Sequence, residues 1–303
     1  MNKATGCAGY SFPLNIVFKD AIMKTLPFYL ICLLCCVFTF STFAAQIPSV
    51  AQAPALSKIL NRGTLRVAMY HKDTPPFYYH DAQGTLTGVD VELIRGFADK
   101  LGVNLIFDRS AKTLNQAIDM VAEDKADLAI CKLSITFDRA SRVLFTRPYI
   151  RLRKGLLVNR ILLQQQLNNR SKIETIQTLQ GKLAVIGNSS YVGYARQRFS
   201  QMTLVPYPNW QEAIQALKAQ EVIAAFRDEA EIKKVIVDNK NNAMSLLTVV
   251  LEKDYDPKGI ALPPNGHFLR ALLESYLDNL SLELNADKVL FNYDDVINQI
   301  HRY

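Results

Sequence analysis

An arginine at the start of a predicted helix is the residue most suited to binding chemistry. A short helix opens at residues 136–139, directly after an apolar strand pattern, and Thr136 can cap it. A cation in the first helical turn is unfavourable for the helix dipole. Arg139 would therefore suit a bound anion, because a guanidinium can hold a carboxylate in bidentate geometry beside free helix N–H groups. The alternative is a surface arginine that pairs with Asp138 or Glu123.

Two further polar positions lie between a predicted strand and a predicted helix. Asp228 follows the apolar residues 222–226 and could be an ordinary N-cap or a counter-charge for a ligand ammonium. Asn188, Ser189 and Ser190 could hold an anion through hydroxyl and backbone N–H groups, or could cap the following helix. Both alternatives remain open at each position.

Catalytic and metal-binding motifs are missing from the sequence. The 4 histidines show no metal-ligand spacing, and there is no Gly-x-Ser-x-Gly elbow, phosphate loop or paired-cysteine zinc motif. Glu274 could act as a glycosidase acid, but it lies on a periodic helix pattern that favours a surface role. We therefore expect a protein without a cofactor, without a metal ion and without catalytic activity.

The candidate residues lie on an α/β pattern that occurs twice. Apolar strand patterns alternate with amphipathic helix patterns over residues 65–131, and the alternation restarts after Tyr149. Two α/β blocks joined by short extended segments predict an α/β protein with two lobes and a cleft between them. In open α/β sheets, ligands bind at the C-terminal ends of strands, near helix N-termini.

The periodicity also predicts the individual elements. The predicted strands are residues 65–69, 103–107, 128–131, 155–158, 183–186, 203–205, 222–226, 246–251 and 259–262. The predicted helices are residues 89–101, ended by Gly102, one capped by Thr113, others from about Tyr191, Trp210 and Asp228, and a last helix over residues 268–280. Asn209 and Glu212 have capping-box spacing.

The composition is that of a globular protein. The chain has 303 residues, of which 49% are hydrophobic and 21% charged. This composition excludes a disordered protein. Only one segment of the sequence is apolar and long enough to enter a membrane, which excludes a multi-span transporter or channel. The formal net charge is +7, and the basic residues are spread evenly along the chain. It fits an anionic or zwitterionic small ligand at least as well as DNA, and we expect no nucleic-acid partner.

The one long apolar segment resembles a secretory signal peptide. It follows Met23 and Lys24, and it ends in small residues that suit a signal peptidase, so residues 1–45 predict a cleaved leader and a periplasmic protein. Met23 is a plausible true start, and an uncleaved anchor is the alternative. Residues 46–55 predict a linker.

The cysteines predict a fold without disulfides. Four of them, Cys7, Cys32, Cys35 and Cys36, lie in the predicted leader, which leaves Cys131 alone in the mature chain. A lone cysteine could be a nucleophile, but the apolar residues before Cys131 favour a small buried side chain.

A series of short motifs occurs in order along the chain. They are Leu65-Arg66-Val67, Pro75-Pro76-Phe77, Gly88-Val89-Asp90-Val91-Glu92-Leu93, Ala126-Asp127-Leu128, Ser134-Ile135-Thr136-Phe137-Asp138-Arg139, Pro148-Tyr149, Gly181-Lys182, Asn188-Ser189-Ser190, Asp228 and Lys258-Gly259-Ile260-Ala261. Together, over roughly residues 56–293, they resemble the extracellular solute-binding proteins of family 3, the periplasmic receptors of polar amino-acid ABC importers.

The resemblance implies a hinge-closing type II periplasmic binding protein fold, with two α/β lobes joined by two hinge strands. Lobe 1 would comprise residues 56–152 and 259–303, and lobe 2 residues 153–258. The implied partners are a small carboxylate ligand, such as an amino acid, and an ABC permease in the inner membrane. We expect a monomer.

The resemblance also implies roles for individual residues. Arg139 would clamp the ligand α-carboxylate with help from Ser134, Asp228 would take the α-ammonium, and Ser190 would contribute from lobe 2. The other residues expected to contact the ligand are Thr136, Phe77, Tyr191 and Lys132.

Three positions depart from the family pattern. Thr74 replaces a usual aromatic residue, Tyr191 replaces a common threonine, and Lys132 replaces a small residue. If the Lys132 side chain enters the cleft, it disfavours cationic ligands and suits a ligand with an extra anionic or hydrogen-bond-accepting group. The alternative is that Lys132 points into water, as most lysines do.

Three functions fit this pattern. The first is a binding protein that delivers its ligand to a permease and catalyses nothing. The second is a periplasmic enzyme on the same fold that resembles cyclohexadienyl dehydratase. The third is a ligand-sensing module or the binding half of a lytic transglycosylase, which normally have further domains.

Overall fold

The computed structural model describes residues 53–303. The predicted signal peptide with Met23 and its four cysteines, and most of the predicted linker, lie outside this range. The first helix begins at Pro54, so it includes the last two residues of the predicted linker, residues 46–55. Within residues 53–303, no helix has both the length and the apolar character needed to cross a membrane.

Helices and strands alternate along the chain, as the hydrophobic periodicity predicts. The helices are α1 (Pro54–Arg62), α2 (Val89–Leu101), α3 (Leu114–Ala122), α4 (Phe137–Ala140), α5 (Arg160–Gln165), α6 (Lys172–Gln177), α7 (Ser190–Arg198), α8 (Trp210–Lys218), α9 (Glu229–Asp238), α10 (Asn242–Ser245), α11 (His267–Asn279), α12 (Ala286–Phe291) and α13 (Tyr293–Arg302). The strands are β1 (Thr64–Tyr70), β2 (Tyr79–His80), β3 (Leu86–Thr87), β4 (Asn104–Ala111), β5 (Leu128–Ala129), β6 (Leu144–Phe145), β7 (Ile150–Asn159), β8 (Lys182–Ile186), β9 (Thr203–Tyr207), β10 (Ala224–Asp228), β11 (Leu246–Lys258) and β12 (Ala261–Leu262).

The first five-stranded sheet forms lobe 1 and has the order β4-β1-β5-β12-β6. Strand β1 is parallel to both β4 and β5, whereas β12 is antiparallel to both β5 and β6. Strand β12 comes after all the strands of the second sheet in sequence. Lobe 1 is therefore built from two separate parts of the chain.

The second five-stranded sheet forms lobe 2 and has the order β11-β7-β10-β8-β9. Its long strands β7 and β11 pair antiparallel from Ile150 opposite Lys258 to Asn159 opposite Leu246. At the lobe 1 end, Lys258 also bridges to Ser134 and Ile150 bridges to Leu284. Strands β7 and β11 are therefore the two hinge strands that connect the lobes.

Each lobe has its own hydrophobic core. The core of lobe 1 is one cluster of buried side chains, whereas lobe 2 has a cluster on each face of its sheet. Leu156 and Val158 point into one of these clusters, and Leu157 between them points into the other. This alternation follows from the two-residue period of a strand and explains why residues 156–158 of β7 are all apolar.

Local sequence signals are confirmed at several helix ends. Gly102 ends α2 in the left-handed conformation with a φ of 67°. The side chain of Thr113 accepts a hydrogen bond from the N–H of Gln116, and that of Asn209 accepts one from Glu212. These caps place the N-termini of α3 and α8 beside the cleft between the lobes.

The prediction of the C-terminal part was wrong in one respect. The helix predicted as the last one, α11, is followed by α12 and α13. Helix α13 packs Tyr293, Val296, Ile297 and Ile300 on the core of lobe 1, and this i, i+3, i+4, i+7 spacing is a helix signal that the prediction overlooked. Helices α5, α6 and α10 were also not predicted, and each has at most six residues.

Candidate functional site

Lys132 extends from lobe 1 into a cluster of charged residues on lobe 2. Its Nζ lies 3.1 Å from both carboxylate oxygens of Asp228 and 2.5 Å from Oε1 of Glu231. It also lies 4.6 Å from the centre of the buried Phe77 ring, a cation–π distance. The residue is 4% exposed. Of the two alternatives for Lys132, the one in which it points into water is therefore wrong.

The backbone of Lys132 is held in an uncommon conformation. Its φ of 55° lies in the left-handed region, which costs a non-glycine residue about 1 kcal/mol or more. The N–H of Lys132 donates to Oδ2 of Asp90 at 2.8 Å, and the hydroxyl of Tyr149 donates to Oδ1 of Asp90. Burial raises the pKa of Asp90 to about 7. These contacts fix the direction in which the lysine leaves lobe 1.

Asp228 is both a helix cap and an ion-pair partner. It is the last residue of β10, and its side chain accepts a hydrogen bond from the N–H of Glu231 in the first turn of α9. Burial alone would raise the pKa of Asp228, but the positive charges of Lys132, Lys258 and Arg227 lower it to about 2. The carboxylate is therefore ionised at neutral pH.

The lowered pKa of Asp228 predicts sensitivity to acid. An aspartate has a pKa near 3.9 in an unfolded chain, so between about pH 4 and pH 2 the unfolded state binds more protons than the folded state. The free energy of unfolding should then fall by roughly 2 kcal/mol as the pH drops through this window. Urea melts of the wild type and of Asp228→Asn measure this. Equal slopes against pH in the two proteins would show that the ion pair contributes nothing.

Ser134 and Ser190 meet across the lobes in a second polar cluster. The Ser190 hydroxyl, at the start of α7, donates to the Ser134 hydroxyl at 2.9 Å, and Ser134 donates to Oδ2 of Asp256 at 3.0 Å. The Nζ of Lys258 donates to both Ser134 and Asp256. The hydrogen bond between the two serines therefore links the lobes, and Asp256 and Lys258 at the end of the hinge strand β11 hold Ser134 in place.

Arg139 is buried, and no carboxylate among residues 53–303 pairs with it. Its Nε and Nη2 donate to the side-chain oxygen of Asn115 at 3.1 and 3.0 Å, and its Nη1 donates to the carbonyl oxygen of Ser134 at 3.0 Å. Thr136 caps α4 by accepting from the Arg139 N–H, as predicted. The residue is 5% exposed, and burial lowers the pKa of its guanidinium.

The surface alternative for Arg139 is therefore wrong. Neither Asp138 nor Glu123 pairs with it, because both lie on the outside of the lobe while the guanidinium points inward. Asn115 is a partner that the sequence analysis missed. Its place in the first turn of α3, beside the cleft, is the feature that could have indicated it.

The remaining predicted residue, Tyr191, packs under the charged clusters. Its ring lies edge-on to Phe226 with the ring centres 5.1 Å apart, and it is almost fully buried. The guanidinium carbon of Arg227 and the Nζ of Lys258 lie 5.8 and 5.6 Å from its ring centre. Tyr191 thus supports both clusters from within lobe 2.

A cavity of about 940 Å³ lies between the lobes, next to these clusters. Lobe 1 contributes residues from the end of β1 and the start of α3. Lobe 2 contributes Asn188 and Ser189, the start of α8 with Trp210, and the charged residues Arg227 and Glu231. This volume lies within the range of ordinary small-molecule sites.

None of the eight residues predicted for the site lines this cavity. They are brought together in and around the two polar clusters, and their neighbours Arg227, Glu231 and Ser189 form the wall. Arg227 was missed by the sequence analysis. A charged residue near the C-terminal end of an otherwise apolar strand was the available signal.

Other chemistry is limited in the described chain. Across residues 53–303, no group of three or more His, Cys, Asp or Glu side chains could hold a metal ion. Cys131 is fully buried, which confirms the prediction, and burial raises the pKa of its thiol to about 12. The thiol therefore stays protonated and is a poor nucleophile.

Comparison with known proteins gives a family match and distant relatives. The model of the bacterial extracellular solute-binding proteins, family 3, matches residues 65–244. The membrane-bound lytic murein transglycosylase F of Pseudomonas fluorescens is 29% identical over 199 residues, which are 65% of this chain and 37% of that protein. The putative ABC transporter arginine-binding protein 2 of Escherichia coli is 25% identical over 189 residues, 62% of this chain and 72% of that protein. The chain thus spans little more than a third of the transglycosylase.

A solved structure confirms the predicted fold. The amino acid ABC transporter substrate-binding protein AbpA of Streptococcus pneumoniae, bound to L-arginine, matches with a TM-score of 0.63 and 25% identity. The match covers 80% of this chain and 98% of that chain.

Proposed function

The chain belongs to the bacterial extracellular solute-binding proteins of family 3, as its motifs predicted, and we propose that it captures a small carboxylate between its lobes and delivers it to an ABC importer in the inner membrane. In this proposal the protein is periplasmic, reaches that compartment through the predicted signal peptide, acts as a monomer and catalyses nothing.

The cavity of about 940 Å³ that both lobes line is the observation that carries this function. A molecule held there touches two lobes that each have their own hydrophobic core, so its binding can hold them together. Arg139 supports a carboxylate ligand, because its buried positive charge has no carboxylate partner in residues 53–303. When the hinge strands open, the contact between Ser134 and Ser190 separates and gives a ligand access to Arg139.

A thermal-shift screen tests the proposal. Amino acids, dicarboxylates, aromatic acids and polyamines are added singly to the purified protein. A ligand that binds only the folded state stabilises it by about 2.7 kcal/mol at a hundred times its Kd, which raises Tm by several degrees. At least one small carboxylate should raise Tm, and polyamines should not. A complete absence of shifts among the carboxylates would overturn the proposal.

Closure of the lobes provides a second prediction. The radius of gyration from small-angle scattering should be smaller in the presence of a saturating carboxylate ligand than in its absence, because the bound molecule links the lobes. A neutral sugar at the same concentration is the control and should leave the profile unchanged. Identical profiles with and without the carboxylate would argue against a ligand that bridges the lobes.

Enzymes on the same fold remain the second candidate, favoured by the similarity to lytic murein transglycosylase F. The matched segment covers only 37% of that protein, so its activity does not transfer to this chain. Release of soluble fragments from purified murein and turnover of prephenate or arogenate are the direct assays. We expect no product in either, and product formation would replace the transport proposal with a catalytic one.

A further inference from the structure

Arg227 is a buried cation whose hydrogen-bonding capacity is unused. It is 9% exposed and lines the cavity between the lobes. Its side chain makes no hydrogen bond within the described chain, and its Nε is fully buried without a partner. The nearest carboxylate oxygen, Oδ2 of Asp228, is 3.7 Å away from this Nε. A guanidinium carries five N–H donors, and leaving such donors unpaired in a buried place is unfavourable.

The two carboxylates beside Arg227, those of Asp228 and Glu231, share Lys132 as an ion-pair partner, and Arg227 supplies the second positive charge that balances them. Lys132 from lobe 1 lies 3.1 Å from the Asp228 oxygens and 2.5 Å from Glu231. A ligand ammonium in this place would find no free carboxylate and would face two cations, Lys132 and Arg227. A ligand anion would instead meet the free donors of Arg227.

The other charged residues of the cavity wall also favour an anionic ligand. Two of its acidic residues are held by basic ones, Asp73 by Arg109 at 2.7 Å and Asp238 by Lys234 at 2.6 Å. The cavity also has cationic residues that form no ion pair in the part of the chain the structure covers, and these are Lys72 and Lys112. The unpaired charge around the cavity is therefore positive, which favours an anion.

Aromatic side chains form a large part of the remaining wall. Tyr70 and Tyr78 line it from lobe 1, and Tyr207 and Trp210 line it from lobe 2. Such surfaces favour a ligand with a carbon skeleton over an inorganic ion.

We propose that the cavity binds an organic acid without an ammonium group, whose carboxylate pairs with Arg227 while Lys132 occupies the carboxylate of Asp228 as an internal cation. This inference rests on the proposed capture of a carboxylate between the lobes and specifies its class. Arg227 then provides the positive charge that binds the carboxylate. Lys132 disfavours an amino acid, because it takes the place of the ligand ammonium beside Asp228.

Matched pairs of acids test the inference by titration calorimetry on the full chain. The pairs are glutarate with L-glutamate and 3-phenylpropionate with L-phenylalanine, which differ in the ammonium group. In each pair that binds, the acid without the ammonium should bind the wild type at least about tenfold more tightly. The ammonium of the amino acid finds Asp228 already paired with Lys132, and a buried charged group without a partner costs more than about 1.4 kcal/mol. Tighter binding of the amino acid would overturn this inference and leave the proposed function standing. If no carboxylate binds, the proposed function itself fails.

Two substitutions locate the groups responsible. Arg227→Gln should weaken the preferred acid by at least about tenfold, whereas the control Arg196→Gln, an exposed arginine of the same lobe, should not change its affinity. Lys132→Met frees the Asp228 carboxylate, and so the amino acid of the pair should then bind at least as tightly as the acid. Unchanged affinity in Arg227→Gln would overturn the assignment of the anion site, whether or not the Lys132 variant folds.

Discussion

Replacement of Arg139 by glutamine should weaken binding of the best dicarboxylate by about 30-fold or more, while the protein remains folded, because we expect its second carboxylate to reach Arg139 while the first pairs with Arg227. A charge-assisted contact inside a closed cleft is worth on the order of 2 to 5 kcal/mol. Glutamine removes the charge but can still donate to the Ser134 carbonyl, which the arginine reaches at 3.0 Å. Titration calorimetry gives the affinity, and a thermal melt of the ligand-free variant reports on the fold.

Arg142 provides the matched control for Arg139. It lies three residues further along, is exposed, and pairs with Asp119 on the surface. Surface ion pairs contribute about 1 kcal/mol or less, so Arg142→Gln should bind the ligand as the wild type does. If Arg139→Gln also binds with wild-type affinity, Arg139 only holds Asn115 and Ser134 in place.

Replacement of Lys132 by methionine should lower the free energy of unfolding by about 3 to 5 kcal/mol. Removing one partner of a buried ion pair leaves the other charge buried and uncompensated, here Asp228 together with Glu231. Urea melts measure the change. The control Lys125→Met removes an exposed pair with Glu123 and should cost less than about 1 kcal/mol.

The same variant distinguishes an electrostatic effect from a loss of packing. Adding Asp228→Asn to Lys132→Met removes one of the two stranded charges, so the double variant should recover part of the lost stability. Additive losses in the two single variants would mean that Lys132 and Asp228 do not interact, and this would contradict the role of Lys132 as an internal cation.

Features that depend on neighbouring residues could be predicted from the sequence. The cap by Thr113 and the stop at Gly102 involve groups within four residues of each other, so the local pattern contains all the information. Helix α6 could have been predicted in the same way, because Ser171 and Glu174 form a complete capping box.

Features that depend on distant parts of the chain could not be predicted. Lys132 and Asp228 are separated by 96 residues and meet only because two lobes face each other. The local sequence is compatible with a Lys132 side chain in the cleft or in the solvent, and only the contact between the lobes, which brings Asp228 and Glu231 to its Nζ, decides between them. For the same reason the local sequence favoured Asp228 as the ligand contact and not Arg227 beside it.

Trp210 gives the most direct test of the central claim that a small carboxylate binds between the lobes. It is the only tryptophan in the sequence, and its half-buried ring lines the cavity. Fluorescence excited selectively at this residue should change saturably during titration with the carboxylate that raises Tm, with the same midpoint as in calorimetry. A carboxylate that binds by calorimetry and leaves the Trp210 emission unchanged would be bound elsewhere, and would contradict the claim.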